Sequence, residues 1–365
     1  MNIFDKLRLK LPLQGACALI TSQVNRRYFT DFNSSDGYLL IFENEAFFLV
    51  DSRYFEAAKK SVKANVVLLE KAAEQINGLF ASHGIQSVYI ESDRVTVGEL
   101  EFMKSKFENV TIDFSETLFK AIRSLRMIKT PDEVKAIKTA QTIAETALLR
   151  LLDDGFSYDN TERKLAAKLD YHMKDGSAEV IPQADDISFE TILLSGENTS
   201  MPHGVPSERS VCDGDALLID FGAVYEGLHS DMTRTAFINN INDEYIKIWE
   251  IVLEAKNLAM AAIKPGIPCN EVDKIARDYI TSKGYGDCFG HGLGHSVGLE
   301  IHEYPAFNKT CEELLTPGMI MTVEPGIYIP GKFGVRLEDM VVITESGYDN
   351  LASMSIMPEF TVKFL

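Results

Sequence analysis

The first third of the chain alternates apolar runs with amphipathic stretches. The strand-like runs are Cys17–Thr21, Tyr38–Phe42, Ala46–Val50, Asn65–Leu69 and Ser87–Ile90. Helical stretches lie near Tyr54–Ser61, Lys71–His83 and Thr96–Phe107. Because strands that alternate with helices are typical of α/β architecture, this pattern predicts a small α/β domain over residues 1–125.

A longer helix is predicted after this region. Thr130 can cap a helix that starts at Pro131, and Glu133 completes a capping box. The apolar period continues to about Asp153, where this helix is predicted to end. A second helix is predicted over Tyr158–Lys174.

The same order of elements returns later in the chain. Helices are predicted over Asp243–Ile263 and Asn270–Ser282, and strand-like runs follow each helical pair. Gly155 and Gly266 stand at the same point of the two pairs. This pattern indicates a weak internal repeat of helix, helix and strands, although two ordinary helical hairpins would produce it by coincidence.

Length and charge narrow the class of protein. A chain of 365 residues exceeds the roughly 250–300 residues that one core holds, so we expect two domains, residues 1–125 and 126–365. With 45% hydrophobic residues the composition is that of a soluble globular protein. A net charge of -18 has the wrong sign for nucleic acid or anionic membranes, so neither partner is expected. The second domain contains 21 basic and 38 acidic residues, which indicates a solvated acidic surface or a cation site.

The cysteines favour a reducing compartment. There are 5 of them, and their scattered spacing matches neither a disulfide framework nor a thiolate zinc site. The apolar stretch after the basic start is interrupted by Pro12, Gln14 and Gly15, so a signal peptide is not expected. We therefore expect a cytoplasmic protein.

Two aspartates flank a predicted β-hairpin. The apolar strand that ends in Asp220 turns near Tyr225 and Glu226 and returns through Asp231. A hairpin closed at this turn places the two aspartates opposite each other, where their carboxylates would repel unless a cation lies between them. The alternative is that one aspartate faces solvent or pairs with Arg234.

A histidine cluster follows. His291, His295 and His302 lie in a segment that also contains four glycines, which let the backbone pack closely while the imidazoles project inwards. The glycine spacing does not match a dinucleotide-binding loop, and no Gly-Lys-Ser/Thr follows, so nucleotide binding is not expected. Three histidines at this density favour a functional site over separate core residues.

Two glutamates interrupt late apolar strands. Glu324 ends the run that starts at Met319, and Glu338 lies within Val335–Ile343 with Arg336 on the same face. A carboxylate in such a run needs a partner. An Arg336–Glu338 surface pair on an edge strand is the alternative explanation.

These residues, taken in order, resemble a known metal-ligand signature. The set that resembles the pita-bread metallopeptidases, in particular the aminopeptidase P and prolidase branch, is Asp220, Asp231, His295, Glu324 and Glu338. Ser195–His203 resembles the segment that supplies an active-site histidine in this family, and His291–Glu303 resembles the proline-peptidase signature. The resemblance extends into the first domain through Arg27–Phe32 and Asp51–Tyr54, with one departure at Asp31, where relatives often have glycine.

The resemblance implies a fold and a metal site. The implied fold is an α/β creatinase-like domain over residues 1–125 and an α+β pita-bread catalytic domain over residues 126–365. Two divalent metal ions are implied, with Mn²⁺ expected first and Co²⁺ or Zn²⁺ also compatible with oxygen and nitrogen ligands. Asp220 would bind one ion, His295 and Glu324 the other, and Asp231 and Glu338 would bridge them.

The remaining roles follow from the same resemblance. His203 and His302 would bind or protonate groups around the reacting carbonyl and the leaving proline, and His291 would line the cleft near the metals. Arg336 would hold Glu338 and contact the substrate.

The implied function is that of a homodimeric, dinuclear metal-dependent exopeptidase that hydrolyses Xaa-Pro bonds at peptide N-termini. The nearest alternative is an Xaa-Pro dipeptidase, because the two differ only in whether the cleft admits longer peptides. Methionine aminopeptidases normally lack the amino-terminal domain, and creatine amidinohydrolases work without the metal ligands. A catalytically inactive pita-bread binding module would be expected to lack ligands and often to carry basic extensions.

Overall fold

The amino-terminal part of the chain forms a six-stranded mixed sheet covered by helices. This computed structural model describes residues 1–157, 159–175, 182–239 and 243–360, and its two compact units are Met1–Arg126 and Met127–Leu365. The strands of the first unit are β1 (Ala16–Ile20), β2 (Tyr38–Ile41), β3 (Ala46–Val50), β4 (Asn65–Leu68), β5 (Ser87–Ile90) and β6 (Thr111–Asp113). Its helices are α1 (Ile3–Arg8), α2 (Gln23–Thr30), α3 (Ser52–Ser61), α4 (Ala72–Ser82), α5 (Val97–Lys106) and α6 (Thr117–Arg126).

Both faces of this sheet are buried. The strand order is β4-β3-β2-β1-β5-β6, and β1 pairs antiparallel with β2 and parallel with β5. Ala18 and Ile20 pack in one core, and Cys17 and Leu19 pack in the core on the other face. The predicted α/β pattern is confirmed, but α1, α2, α6 and β6 were not predicted; of these, α1 and β6 are short, with 6 and 3 residues.

Two helical pairs organise the second unit. They are α7 (Pro131–Asp153) with α8 (Glu162–Lys174), and α9 (Asp243–Ala262) with α10 (Cys269–Ser282). The predicted capping box of Thr130 and Glu133 is present at the start of α7. The second helix begins later than predicted because Thr161 caps it by accepting from the backbone N–H of Lys164, and the predicted start at residue 158 lies outside the described residues. Gly155 closes the first pair with a φ of 73°.

A sheet follows each helical pair. The strands are β7 (Asp186–Ile187), β8 (Ile192–Ser195), β9 (Ala216–Phe221), β10 (Ala223–Tyr225), β11 (Leu228–His229), β12 (Met232–Ile238), β13 (Gly294–Ser296), β14 (Glu303–Phe307), β15 (Ile320–Val323), β16 (Gly326–Ile329), β17 (Phe333–Arg336), β18 (Asp339–Ile343), β19 (Tyr348–Asn350) and β20 (Glu359–Phe360). The two larger sheets have the orders β20-β12-β9-β8 and β14-β13-β15-β18-β19, with smaller sheets β11-β10-β7 and β16-β17 beside them.

Each helical pair packs on its own sheet. Leu148 of α7 and Leu169 of α8 share a core with Leu217 of β9, whereas Val252 of α9 and Val272 of α10 pack in a second core with strands β15 and β18. This is the order of elements that the internal repeat predicted. Among the helices of the described segments, none is both long and apolar enough to cross a membrane.

Candidate active site

One cavity of about 520 Å³ in the second unit is lined by every residue that the sequence singled out for chemistry. These residues are His203, Asp220, Asp231, His291, His295, His302, Glu324, Arg336 and Glu338. Phe189, Ile192, Ile301 and Ala306 supply apolar parts of the wall. Folding therefore brings the predicted site residues together from several strands and loops.

The hairpin that carries Asp220 and Asp231 closes one residue later than predicted. Strands β10 and β11 leave Glu226 and Gly227 as the turn, with φ angles of 52° and 73°. Both central residues of a type I′ turn need positive φ, and glycine adopts it without strain, so the chemistry of the turn sets this register. Asp220 consequently faces Thr233, and the prediction that it faces Asp231 is wrong.

The two aspartates still project from the same face of the sheet. The register differs from the predicted one by two positions, and side-chain direction repeats every two residues along a strand. Gly222 permits close approach of the strands between them, since a Cβ at this position would lie 2.0 Å from the carbonyl oxygen of Ser230. Asp220 and Asp231 are therefore diagonal neighbours rather than a directly opposed pair.

Glu324 and Glu338 occupy opposite positions where two strand ladders meet. Strands β15 and β18 pair on one side of the two glutamates, and β16 and β17 pair on the other side in the same register. The prediction of a continuous strand over Val335–Ile343 is wrong at this point, because β17 ends before Glu338 and β18 begins after it. This break lets the chain exchange one partner strand for another while both glutamates line the pocket.

His295 lies in β13, and His302 directly precedes the partner strand β14. The register shifts between His295 and Ser296, and the centroids of the His295 and His302 rings lie 4.4 Å apart. Nδ1 of His295 is 3.1 Å from the carbonyl oxygen of Ser296. Its Nε2 therefore turns toward the acidic residues, 3.5 Å from Asp231 and 3.4 Å from Glu324.

The potential ligand atoms fall into two groups that share Asp231. Asp220, Asp231 and Glu338 each place a carboxylate oxygen within 4.8 Å of the others. The second group consists of Asp231, Glu324 and the Nε2 atom of His295. Oxygen donors with one imidazole nitrogen are a ligand set typical of divalent transition metals.

Burial and mutual repulsion hold protons on Asp231, Glu324 and Glu338 when no cation is present. Burial, followed by the charge of Glu338, raises the pKa of Asp231 well above its ordinary value. Burial, followed by the charge of Glu324, does the same to the pKa of Glu338. The pKa of Glu324 is raised to about 8, chiefly by burial. Burial lowers the pKa of His295 to about 4, which leaves a neutral imidazole of the kind that binds metals.

The hydrogen bonding of the carboxylates also fits metal ions. Oδ1 of Asp220 and Oε1 of Glu338 are buried and accept no hydrogen bond from the residues that the structure describes. A buried carboxylate oxygen without a donor is costly, and a cation would satisfy both its charge and its lone pairs. The residues present therefore fit the divalent metal ions that the resemblance implied.

Arg336 contacts Asp220, and the prediction that it holds Glu338 is wrong. Its Nη2 atom lies 2.5 Å from Oδ2 of Asp220. Nε donates to Oγ1 of Thr233 at 3.1 Å, and the Thr233 hydroxyl donates to Oε2 of Glu338 at 2.8 Å. Arg336 thus reaches Glu338 only through Thr233, because Asp220 occupies the position nearest its guanidinium.

His291 is held by a tyrosine. Arg336 Nη1 donates to the Tyr328 hydroxyl at 2.7 Å, and this hydroxyl lies 3.0 Å from Nε2 of His291. Nδ1 of His291 lies 2.8 Å from the carbonyl oxygen of Gly292. This network assigns the ring proton to Nδ1 and makes Nε2 the acceptor, and burial lowers the pKa of His291 to about 4.

Sequence reasoning missed Thr233 and Tyr328. Thr233 could have been found from the correct hairpin register, which places it opposite Asp220. Tyr328 lies four residues after Glu324, which places it on the same face of an alternating strand. This signal was overlooked because tyrosines are common in ordinary strands.

Comparison with known proteins identifies the chain. Residues 135–345 match the family described as Metallopeptidase family M24, which covers more than half of the sequence. The chain belongs to metallopeptidase family M24. Residues 7–128 of this M24 protein match the Creatinase/Prolidase N-terminal domain. The predicted hydrolase class is thereby confirmed, and the family implies divalent metal ions.

Relatives of this M24 protein match over nearly its whole length. It is 39% identical over 333 residues to the Xaa-Pro dipeptidase of Pyrococcus furiosus, covering 91% of this chain and 92% of the relative. The solved Xaa-Pro dipeptidase from Bacillus anthracis has a TM-score of 0.90 at 34% identity and 98% coverage of both chains. An X-Pro aminopeptidase from Thermotoga maritima has a TM-score of 0.87 at 33% identity, covering 95% of this chain and 97% of the other. These neighbours confirm the creatinase-like and pita-bread folds.

Proposed function

We propose that this M24 protein is a dinuclear metal-dependent exopeptidase that hydrolyses Xaa-Pro bonds at the N-termini of peptides. The observation that carries the proposal is the convergence of four carboxylates, two buried and two half-buried, with His295 in a pocket that also contains His203 and His302. The named activities of the similar dipeptidases and aminopeptidase add support for proline as the recognised residue.

The two groups of ligand atoms suggest how a pair of ions would be held. Asp220 would bind one ion, His295 and Glu324 the other, and Asp231 and Glu338 both. Asp231 already belongs to both groups, which supports its role as a bridge. Four carboxylates against two dications leave the site nearly neutral, and the excess of oxygen ligands favours Mn²⁺, with Co²⁺ or Zn²⁺ as alternatives.

Bound metal ions would polarise the scissile carbonyl and lower the pKa of the attacking water. The neutral ring of His295 is ready to ligate through Nε2, because its Nδ1 is engaged by the Ser296 carbonyl. Arg336 would orient Asp220 through their 2.5 Å contact.

The exposed histidines have the positions expected of substrate-contacting groups. His203 and His302 lie at the open side of the pocket, whereas His291 and His295 are more enclosed. His302 would transfer a proton near the leaving proline nitrogen, and His203 would donate to the substrate carbonyl. Both ring nitrogens of His291 already have partners, so this residue would line the cleft and position Tyr328 rather than transfer protons.

Such a pocket can recognise a substrate by its proline residue. An Xaa-Pro bond is a tertiary amide without an N–H, so enzymes that bind extended substrate through that group recognise it poorly. Ile192, Ile301 and Ala306 provide apolar surface in the same cavity as the carboxylate cluster. A rigid pyrrolidine ring can pack there with its carbonyl beside the metal ligands.

An Xaa-Pro dipeptidase is the second candidate. It is favoured by the names of several relatives, including those from Pyrococcus furiosus and Bacillus anthracis. The two candidates share the site and differ in the length of peptide that the cleft admits.

Hydrolysis of matched peptides by the Mn²⁺-loaded enzyme tests both candidates. We expect Ala-Pro-Ala and Ala-Pro to be cleaved and Ala-Ala-Ala and Ala-Ala to be much poorer substrates. Cleavage of Ala-Pro without Ala-Pro-Ala would establish the dipeptidase, and a preference for Met-Ala peptides would refute recognition of proline. Metal analysis of the same preparation gives the number of ions per chain.

The proposal extends to a homodimer in the cytoplasm that binds proline-containing peptides rather than nucleic acid or membranes. All five cysteines lie in described segments, and each is a free thiol, which is consistent with a reducing compartment. Sedimentation analysis of the metal-loaded protein checks the dimer.

A further inference from the structure

Glu162, at the start of α8, is a fully buried carboxylate that lies outside the pocket lining. Its Oε1 accepts from the backbone N–H and the hydroxyl of Ser195 at 2.7 and 2.9 Å. Its Oε2 accepts from the backbone N–H and the hydroxyl of Ser207 at 2.9 and 2.7 Å. The side-chain amide of Asn198 lies 3.1 Å from both oxygens. One carboxylate thus fixes both ends of the loop formed by residues 196–206.

This loop carries His203. The His203 imidazole makes no hydrogen bond to any residue within the described ranges, so the backbone of the loop sets its position. The loop also reaches the metal-ligand region, because the carbonyl oxygen of Pro202 accepts from Nη1 of Arg336 at 3.2 Å. On its other side, Thr199 accepts from the backbone N–H of Gly334 at 2.9 Å, and a Cβ at Gly334 would lie 2.2 Å from the Thr199 carbonyl oxygen.

We propose that Glu162 is a positioning residue for catalysis, which holds the loop of residues 196–206 so that His203 and the Pro202 carbonyl meet the substrate and Arg336. This inference rests on the proposed role of His203. A neutral amide at residue 162 would turn one acceptor oxygen into a donor facing other donors, so the loop would lose at least one of its two attachments. Displacement of a positioned group by about 1 Å can cost on the order of a hundredfold in rate.

The chain offers a matched control in Glu91 of the first unit. Glu91 is also fully buried and accepts from the backbone N–H groups of Thr21 and Ser22 at 2.7 and 2.9 Å and from the side-chain amide of Asn25 at 2.6 Å. Glu91→Gln therefore makes the same chemical change in a carboxylate that holds a different segment. Both variants are expected to lower Tm.

The first test compares kcat/KM for an Xaa-Pro peptide at a temperature where every variant is folded by circular dichroism. Glu162→Gln is expected to lower kcat/KM by about 10- to 100-fold at unchanged metal content, whereas Glu91→Gln changes it by less than about twofold. In a His203→Ala background, Glu162→Gln should lower kcat/KM by much less, since the residue it positions is gone. Equal losses in both backgrounds, or equal losses in the two Gln variants, would overturn the proposal.

A readout other than activity separates this inference from the proposed function. In the Zn²⁺-loaded protein, the His203 Cε1–H resonance, assigned by its loss in His203→Ala, should shift or broaden in Glu162→Gln and not in Glu91→Gln. An unchanged resonance in Glu162→Gln refutes the positioning role, whatever the activity of the wild-type protein. A wild-type protein that cleaves no Xaa-Pro peptide refutes the proposed function alone. Should Glu162→Gln fail to fold, Ser207→Ala removes one hydroxyl donor and is expected to shift the same resonance.

Discussion

Two buried clusters of charged side chains lie next to each other, one around Glu338 and the other around the adjacent residue Asp339. The first consists mainly of carboxylates, and the second pairs a carboxylate with two cations. Glu338 faces the pocket with Asp220 and Asp231, where carboxylates crowd together. Asp339 faces the interior behind it, where Arg234 Nη2 lies 2.8 Å and Lys256 Nζ 2.5 Å from its carboxylate oxygens.

The pKa directions express this difference. The pKa of Glu338 is raised well above its ordinary value, first by burial and then by neighbouring acids. The pKa of Asp339 is lowered, because Arg234 and Lys256 outweigh its burial. Both side chains are almost fully buried, so burial alone does not explain the contrast.

The contrast between Glu338 and Asp339 indicates that the carboxylates of the pocket are arranged to bind cations. The fold supplies two cations to Asp339 but leaves Oε1 of Glu338 without a donor among the described residues. A buried carboxylate is tolerated only if it is paired with a cation, surrounded by hydrogen-bond donors, protonated or bound to metal. Variants on the two sides of this boundary should therefore fail in different ways.

The largest expected effect is on the pocket side. Glu338→Ala or Asp231→Ala should reduce turnover more than about a thousandfold, mainly in kcat, because each removes a ligand proposed to bind both ions. Metal content per chain should fall in parallel. The metal-free variants should be at least as stable to urea as the metal-free wild type, since a buried carboxyl group that lacks its cation is removed. Lower stability of the metal-free variants would show that these carboxylates stabilise the fold, as Asp339 is expected to do.

His302→Ala tests chemistry beside the cluster without touching a proposed ligand. We expect the variant to keep its metal and lose about 10²–10⁴-fold in kcat, as for a proton-transfer group. His302 is exposed, so stability should change little. Wild-type activity in this variant would remove the proposed role, and loss of metal would show that His302 supports His295 instead.

Asp339→Ala breaks the other side of the comparison. It would leave the buried cations Arg234 and Lys256 without their carboxylate, which is expected to cost about 3–5 kcal/mol of unfolding free energy. Urea denaturation of the metal-free proteins measures this directly. The double variant Asp339→Ala/Lys256→Met should recover part of the loss, because one unpaired charge is then absent. Full stability of the single variant would contradict the pairing.

The sequence predicted the members of the site better than their contacts. Carboxylates in apolar strands are conspicuous, so it was possible to recognise Asp220, Asp231 and Glu338. The predicted hairpin register was wrong by two positions, but an even shift leaves Asp220 and Asp231 on the same face of the sheet. The partner of Arg336 could not be predicted, because it depends on a strand break and on a crossing between distant strands. The Arg234–Lys256–Asp339 cluster was missed for the same reason, since it joins residues from three separate elements.

Removal of the metal should expose the repulsion in the pocket cluster. Chelation is expected to lower Tm, and added Mn²⁺ should restore it, with about 2.7 kcal/mol of stabilisation when free metal is a hundred times its dissociation constant. Asp231→Ala provides the control, because its Tm should respond less to chelator. An identical melting curve before and after verified metal loss would argue against a convergent cation site.

The smallest expected effect is the pH dependence of that stabilisation. In the metal-free protein the pKa of Glu324 is about 8 against an ordinary value of 4.5, so between these values the folded state holds a proton that the unfolded state has released. Stability conferred by this group is present at low pH and is lost as pH rises toward 8. Metal binding requires the ionised carboxylate, so raising pH strengthens it. The Tm difference between Mn²⁺-loaded and metal-free protein should therefore widen from pH 6 to pH 8, by roughly 2–4 °C for each kcal/mol. Glu324→Gln should flatten the metal-free part of this slope, whereas a Tm difference that does not change between pH 6 and pH 8 would show that the pocket carboxylates are already ionised without metal.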